Sequence, residues 1–329
     1  MDCLILAGDV GGTKTHLGLY RANGETLSAV RDRLYRTADF KSLSEACADF
    51  LSGRGEPVKA ACFGVPGPVI EGEAHATNVP WLMREAELSR ELGATPVRLI
   101  NDLAATAYGV IHLEQSEFAV LQRGRYRVHG ANIAVIAAGT GLGEASLAFE
   151  DGSFHAVSSE GGHADFAPRG DEQVALYRFL RAEFGHVSVE RVLSGPGLFN
   201  IYRFLRQSRA TPEPEWLRSR LENEDPAAVV GEAALEGRDP ECVCALAMFV
   251  DIYGAEAGNM ALKVLALGGV YIGGGIAPKI LPALRDGRFI KSFSDKGRLA
   301  GMLGGIEVRV SLNPGAALLG AAYCARAML

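Results

Sequence analysis

The sequence predicts an α/β protein built of two related lobes. Segments with the two-residue period of strands alternate with longer segments typical of helices, which is the order expected of an α/β fold. A strand, a glycine-rich turn and a second strand also occur twice, about 130 residues apart, beginning near residues 4 and 133. The 329 residues, 48% of them hydrophobic, suffice for two domains with substantial cores.

The first lobe is expected to open with a hairpin. Residues 4–7 form an apolar strand, a glycine turn follows at 8–13, and Thr15, Leu17 and Leu19 alternate as in a second strand. Asn101 or Asp102 can cap the last helix of this lobe. The other elements predicted are strands at 29–36, 59–65 and 97–100 and helices at 43–51 and 104–110.

The second half repeats this opening in outline. An apolar strand at 133–137 leads into a glycine turn at 138–143, and a further strand follows at 145–149. Residues 209–240 are polar and proline-rich, which indicates a surface excursion with a short helix near 216–221. From Pro314 to Ala327 the composition is that of a packed terminal helix.

Composition excludes several classes of protein. A net charge of -6 argues against a general nucleic-acid binder. No uncharged apolar run reaches the length of about 18 residues that a membrane-spanning helix requires, and the N-terminus lacks the features of a signal peptide. We therefore expect a cytoplasmic protein with no membrane partner. The six cysteines are scattered through the chain, so a disulfide framework is not expected.

The two glycine turns carry the first chemical signal. The first lacks both the G-x-x-x-x-G-K-[ST] and the G-x-G-x-x-G patterns, but its glycines allow backbone N–H groups to meet phosphate oxygens. Asp9, at the end of a strand, could hold Mg2+ through water. One such turn alone is more often structural, whereas two favour function. The predicted phosphate-binding residues are Gly8, Asp9, Val10, Gly11, Gly12, Thr13, Gly139, Thr140 and Gly141.

A third glycine cluster, Gly273-Gly274-Gly275, follows another apolar run, and its backbone would let a flat ring approach at Gly274 and Gly275. Clusters at residues 8, 139 and 273 match the two phosphate segments and the adenosine segment of the fold shared by actin, the chaperone ATPase and the sugar kinases. The chain resembles that fold: two actin-like (ribonuclease H-like) α/β lobes with an interlobe cleft.

The resemblance is closest to the bacterial glucokinases outside the ROK family and covers nearly the whole chain. It implies ATP-dependent phosphorylation of glucose at the 6-hydroxyl, with ATP and Mg2+ as cofactors and a homodimer as the assembly. The motifs that carry it are G-D-V-G-G-T at 8–13, I-N-D at 100–102, G-T-G-L-G at 139–143, E-G-G-H-A-D-F-A-P at 160–168, G-H-V-S at 185–188 and E-R-V-L-S-G-P-G at 190–197.

In that family the counterparts of five residues hold the sugar hydroxyls, and the counterpart of Asp102 acts as base. Phosphoryl transfer needs an acceptor for the hydroxyl proton, and Asp102 lies at the end of a strand, where such a group is well placed. Each residue alone has an ordinary alternative: a helix cap, a solvated carboxylate or a core histidine. The five are Asn101, Asp102, Glu160, His163 and Glu190.

Lesser candidates surround these residues. Asn78 and the Pro66-Gly67-Pro68 segment are predicted to line the sugar pocket, and His186 and Ser188 to support it. ROK kinases place a histidine like His163 beside a C-x-C-G-x-x-G-C zinc cluster, and no such cluster follows here. The resemblance therefore assigns His163 to sugar binding, with no zinc site.

The resemblance also implies a domain division. Residues 1–110 with the C-terminal helix at about 312–329 would form the small lobe, and 111–311 the large one. Two alternatives stay open at this point: a kinase for fructose or mannose, and a sugar or nucleotide sensor of the same fold without turnover. The sensor is disfavoured because the sequence starts directly in the first strand, which leaves no room for an N-terminal DNA-binding motif.

Overall fold

The computed structural model describes residues 2–53, 55–75, 79, 81–126 and 128–329. The chain divides into two compact units. Unit 1 comprises Met1–Glu117, Ala145–Ser158 and Asn313–Leu329, and unit 2 comprises Phe118–Glu144 and Ser159–Leu312. The division expected from sequence, after residue 110, falls earlier than the observed one. Residues 145–158, which the sequence placed in the large lobe, group with unit 1.

A five-stranded sheet forms the centre of unit 1. Its order is β3-β2-β1-β4-β8, with β1 antiparallel to β2 and parallel to β4, and β4 parallel to β8. This arrangement brings the carboxyl ends of β1, β4 and β8 to one edge. The strands of unit 1 are β1 (Asp2–Val10), β2 (Lys14–Asn23), β3 (Thr26–Arg36), β4 (Val58–Val65), β5 (Val69–Ile70), β6 (Glu73–His75), β7 (Leu82–Arg84) and β8 (Val97–Asn101).

Helices cover this sheet. Helix α1 has the predicted bounds because Ser42 accepts a hydrogen bond from the N–H of Glu45, which caps the helix, and because its apolar residues share one buried face. The terminal helix α12 packs against β1 and α3. The helices of this unit are α1 (Leu43–Leu51), α2 (Glu85–Glu91), α3 (Asp102–Val110) and α12 (Ala316–Arg326).

The strands of unit 2 repeat the parallel pattern. Strands β10, β13 and β14 are parallel neighbours, and β9 is antiparallel to β14 at the edge. Strand β11 begins in unit 2 and continues into unit 1, where most of β12 lies. These strands are β9 (Phe118–Gln122), β10 (Ile133–Ala138), β11 (Leu142–Glu150), β12 (Ser153–Ser159), β13 (Gly269–Gly273) and β14 (Val308–Ser311).

The large core of unit 2 centres on the long helix α8, which packs against α5 and α7. The helices of unit 2 are α4 (Gly170–Phe184), α5 (Gly195–Ser208), α6 (Glu215–Asn223), α7 (Pro226–Leu235), α8 (Pro240–Lys263), α9 (Leu281–Leu284), α10 (Arg288–Ser294) and α11 (Ala300–Leu303).

The structure corrects one sequence prediction in this region. The short helix expected near 216–221 is present as α6, but the rest of the predicted surface excursion is not all at the surface. Helix α7 buries Val229, Val230 and Ala233 completely against the neighbouring helices. The surface prediction was wrong here because it followed the polar flanks and passed over the apolar A-A-V-V-G segment between them.

The six cysteines are free thiols, and Cys47, Cys62, Cys242 and Cys324 are buried, as small core residues are. Cys242 and Cys244 both lie on α8. Across the described ranges, no helix combines the length and the apolar character that crossing a membrane would require.

Candidate active site

The first glycine turn joins β1 to β2. The N–H of Gly11 donates to the carbonyl oxygen of Lys14 (2.9 Å), and the hydroxyl of the buried Thr37 donates to the carbonyl oxygen of Gly11 (2.7 Å). Within the described part of the chain, the N–H groups of Gly12 and Thr13 donate to no other group. The turn therefore offers two adjacent donors and an exposed threonine side chain.

Asp9 lies at the end of β1, in register with His16 on β2 and Gly64 on β4. Burial raises the pKa of the Asp9 carboxyl above its ordinary value of 3.8, and His16 partly opposes the rise. A nearby cation stabilises the ionised form of a carboxyl group whose pKa is raised by burial, so Asp9 is a residue that could hold Mg2+. Among the described residues, no group of three or more His, Cys, Asp and Glu side chains is arranged to bind a metal.

Asn101 ends β8 and caps α3. Its Oδ1 accepts hydrogen bonds from the N–H groups of Leu103 (2.9 Å) and Ala104 (3.3 Å), and its Nδ2 donates to the carbonyl oxygen of Gly67 (3.2 Å). The capping role, one of the alternatives left open by the sequence, is therefore confirmed. The same side chain fixes the segment that contains Pro66, Gly67 and Pro68.

Asp102 is the first residue of α3. Its Oδ1 accepts a hydrogen bond from the N–H of Leu103 (2.9 Å), which orients the carboxylate at the positive end of the helix. A Cβ atom on Gly64 would lie 3.6 Å from Cα of Asp102 and 3.7 Å from the carbonyl oxygen of Gly8. Unit 1 thus brings the first glycine turn, Asp9, Asn101 and Asp102 to one edge of its sheet.

The second glycine turn follows β10 in unit 2. The N–H of Gly139 donates to the carbonyl oxygen of Gly141 (2.8 Å), and the N–H of Gly195, at the start of α5, donates to the carbonyl oxygen of Gly139 (2.8 Å). The N–H groups of Thr140 and Gly141 donate to no group in the described ranges. This turn, like the first, offers two adjacent donors.

Glu190 lies in a short 3-10 helix and contacts this second turn. Its Oε2 accepts a hydrogen bond from the N–H of Leu142 (2.9 Å). The backbone carbonyl of Glu190 accepts from the hydroxyl of Ser194 (2.8 Å), the residue that caps α5. The structure therefore places this predicted sugar ligand directly beside a predicted phosphate turn.

The third glycine cluster lies next to the second turn. Strands β10 and β13 are in register at Ala137 and Gly273, so their carboxyl ends are neighbours. Gly274 has a φ of +81°, and a Cβ atom there would overlap the carbonyl oxygen of Ala138. Only glycine fits this close approach. Gly274 and Gly275 are exposed, as residues that meet a nucleotide should be.

Glu160 precedes a short 3-10 helix, Gly161–His163, and His163 is its last residue; both side chains are exposed. The carbonyl oxygen of His163 lies 3.2 Å from Nε2 of His186, and Ser188 pairs with Asp165 in an isolated β-bridge. His186 and Ser188 thus both contact the segment that follows the short helix. Unit 2 brings Glu160, His163 and Glu190 together with the second and third glycine clusters.

Sequence reasoning missed Glu144 of β11. Its side chain is 1% exposed, and within the described ranges Oε1 has no hydrogen-bond partner. Burial, and secondarily the Glu256 carboxylate, raise the pKa of Glu144 to about 7, while Lys263 opposes the rise. The available signal was an acidic residue between Gly143 and Ala145 near the start of a mostly apolar strand.

Asn78, the remaining predicted sugar contact, lies outside the described residues.

Comparison with known proteins identifies the family. A family model described as glucokinase matches residues 6–328. The chain belongs to the glucokinase family. The glucokinase of Nostoc sp. is 42% identical over 98% of both chains. The crystal structure of a glucokinase from an Antarctic psychrotroph superposes with a TM-score of 0.86, at 33% identity, over 98% of this chain and 99% of that one.

The fold extends beyond this family. A ROK family glucokinase from Streptomyces griseus, 22% identical, superposes with a TM-score of 0.64 over 98% of this chain and 99% of that one. The predicted fold class, α/β with two actin-like lobes, is thereby confirmed, and so is the resemblance to bacterial glucokinases.

Proposed function

We propose that this chain is a glucokinase that transfers the γ-phosphoryl group of ATP to the 6-hydroxyl of glucose. The observation that carries the proposal is the glucokinase family match over residues 6–328, with the family's local motifs in place. The geometry of each unit supplies groups suited to this chemistry.

The two glycine turns are suited to hold phosphate. Each has two adjacent N–H groups without a partner in the described ranges, on Gly12 and Thr13 in unit 1 and on Thr140 and Gly141 in unit 2. Backbone donors held in fixed positions stabilise phosphate oxygens without side-chain rearrangement. The third cluster, at Gly274 and Gly275, would take the adenosine end of the nucleotide.

Asp102 is the proposed base. In the step we propose, O6 of glucose attacks the γ-phosphorus, its proton passes to the Asp102 carboxylate, and the bond from the γ-phosphorus to the bridging oxygen of ADP breaks. The hydrogen bond from Leu103 holds the carboxylate in one orientation, which favours proton transfer along a fixed direction.

Four other residues are the proposed sugar ligands: Asn101, Glu160, His163 and Glu190. The carboxylates of Glu160 and Glu190 accept hydrogen bonds from sugar hydroxyls, and His163 can donate or accept. Asn101 is already engaged in capping α3, so its contribution to the sugar would come from its remaining amide hydrogen. Asn78 remains a proposed contact.

Mg2+ fits the chemistry of this site. When bound with the nucleotide it would neutralise charge on the β- and γ-phosphates, and Asp9 is the residue that would hold it through water.

A coupled assay with ATP and Mg2+ over glucose, fructose and mannose tests the proposal. We expect glucose to be phosphorylated with the highest kcat/KM. A preference for fructose or mannose would establish the alternative hexose kinase. Binding of sugar or nucleotide without turnover of any of the three would establish the sensor.

We propose in addition that the protein is a cytoplasmic homodimer. Light scattering coupled to size-exclusion chromatography should give twice the chain mass of 34.9 kDa. A mass equal to one chain would contradict the dimer.

A further inference from the structure

Glu144 has no role in the proposed chemistry, yet its environment is unusual. The side chain is 1% exposed, and its Oε1 has no hydrogen-bond partner in the described part of the chain. A buried carboxyl oxygen without a partner is unfavourable, above all when the group is ionised, so its presence calls for a functional reason.

The neighbour of this carboxyl group is the loop that carries the proposed sugar ligands Glu160 and His163. A Cβ atom on Gly161 would overlap Oε2 of Glu144 and would lie 2.9 Å from Oγ of Ser159. The Glu144 carboxyl thus fills the space in which a side chain at position 161 would lie. In the same loop, the N–H of Gly161 donates to Oγ of Ser159 (2.8 Å).

Burial and two charges on α8 set the pKa of Glu144. Burial raises this pKa most, Glu256 raises it further and Lys263 opposes the rise, and the resulting pKa is about 7. Glu256 is itself held by the amide of Asn259 (2.8 Å) and by Lys263 (3.4 Å). The other charged groups on elements around this strand are Glu160 and His163 of the loop, Glu190 beside Leu142, and Lys296, which bonds Asn259 (2.5 Å).

We propose that Glu144 is a positioning residue for sugar binding. In its neutral form the Glu144 carboxyl packs against Gly161 and holds the loop in the conformation in which Glu160 and His163 contact the sugar. When Glu144 ionises, the buried charge draws water or shifts the loop, and sugar binding weakens. The role deepens the proposed function and rests on it, because it assumes that Glu160 and His163 contact the sugar.

The test compares wild type with Glu144→Gln, which has nearly the same shape and stays neutral at every pH. We measure the glucose KM of both proteins from pH 6 to 8.5 and take their ratio, which cancels the titration of substrate and of other residues. The ratio of wild type to variant should be close to unity at pH 6 and rise at least about threefold by pH 8.5. Parallel profiles would overturn the proposal.

Hydrogen exchange provides a readout that does not depend on activity. Above pH 7 the peptide covering residues 159–163 should exchange faster in wild type than in Glu144→Gln at the same pH, with no difference at pH 6. Equal exchange at every pH overturns the positioning role. If glucose is not a substrate at all, the proposed function fails, while this comparison still decides whether Glu144 controls the loop.

A second pair of variants keeps the test independent of the glutamine variant. Gly161→Ala places a methyl group against the Glu144 carboxyl and should raise the glucose KM, and Glu144→Ala should relieve part of that increase in the double variant. Additive effects of the two substitutions would contradict direct support of the loop by Glu144.

Discussion

The two glycine turns both join strands and are both rich in glycine, but their surroundings differ. Each follows a buried strand and presents two adjacent unused N–H groups among the described residues. The first is fixed from outside by a hydroxyl, that of Thr37, and has the carboxyl of Asp9 at the end of its strand. The second is fixed by a carboxylate, that of Glu190, which accepts the N–H of Leu142.

This difference shows how a repeated unit acquires two roles. In unit 1 the acidic residues Asp9 and Asp102 lie at the sheet edge, suited to a cation and to proton transfer. In unit 2 the carboxylate of Glu190 takes up the third donor of the turn and leaves two for a ligand. The repeat in the sequence therefore predicts shared geometry, and the flanking residues set the chemistry.

The largest effect on activity is expected from substitution of Asp102, the proposed base in unit 1. Asp102→Asn should lower kcat by about 10²- to 10⁴-fold while changing the glucose KM little, because the carboxylate acts on the proton in the transition state. Steady-state kinetics measure this. Asparagine can still accept from the N–H of Leu103, so circular dichroism should show an unchanged fold. Turnover close to that of wild type would show that the base lies elsewhere.

A substitution in the second turn tests its carboxylate support. A Cβ atom on Gly141 would lie 2.6 Å from Oε2 of Glu190, whereas one on Gly139 would meet nothing within 4 Å. Gly141→Ala should therefore move this oxygen away from the N–H of Leu142 and cost about 1–3 kcal/mol of unfolding free energy through the lost hydrogen bond, and Gly139→Ala much less. Thermal unfolding without ligand measures both.

One result for these two glycine variants would contradict the contact between Glu190 and the second turn. Equal losses of stability from Gly139→Ala and Gly141→Ala would mean that Glu190 does not restrict the turn. The KM for ATP should follow the same order as the loss of stability.

The smallest effect is expected from the hydroxyl that holds the first turn. Thr37→Val removes the hydrogen bond to the carbonyl of Gly11 and leaves the buried Thr15 hydroxyl without its partner at 2.9 Å. We expect the free energy of unfolding to fall by about 1–2 kcal/mol and the KM for ATP to rise modestly. Denaturant unfolding measures the first quantity.

Thr26→Val is the matched control for Thr37→Val. The hydroxyl of Thr26 also donates to a backbone carbonyl, that of Asn23, but Thr26 is exposed. The free energy of unfolding should therefore change by no more than about 0.5 kcal/mol. Similar losses of unfolding free energy in the two variants would show that the buried contact between Thr37 and the first turn does not stabilise the protein.

Local signals predicted much of the fold. The bounds of α1 follow from the cap at Ser42 and one apolar face, and the hairpin of β1 and β2 follows from alternation around glycines. The burial of α7 did not follow, because it depends on α5 and α8, whose positions are set by the tertiary fold. Secondary-structure propensity and hydrophobic periodicity depend only on residues that are close in the sequence.

The candidate site divides in the same way. Asn101 as a cap was a local inference and is confirmed. The bond between Glu190 and Leu142 joins residues 48 apart, and the pKa of Glu144 depends in part on Glu256 and Lys263 of α8, more than 100 positions along the chain. No local pattern specifies such contacts, so the sequence could name Glu190 as a candidate without its contact and marked Glu144 only as an acidic residue in a mostly apolar strand.

The most direct test of the account is to identify the product. Wild-type protein with ATP, Mg2+ and glucose labelled uniformly with 13C should yield a single sugar phosphate whose 13C spectrum shows coupling to phosphorus at C6 and its neighbour C5, with ADP formed in equal amount. Phosphate on another carbon, or ADP formed without any sugar phosphate, would contradict the proposal that this chain phosphorylates the 6-hydroxyl of glucose.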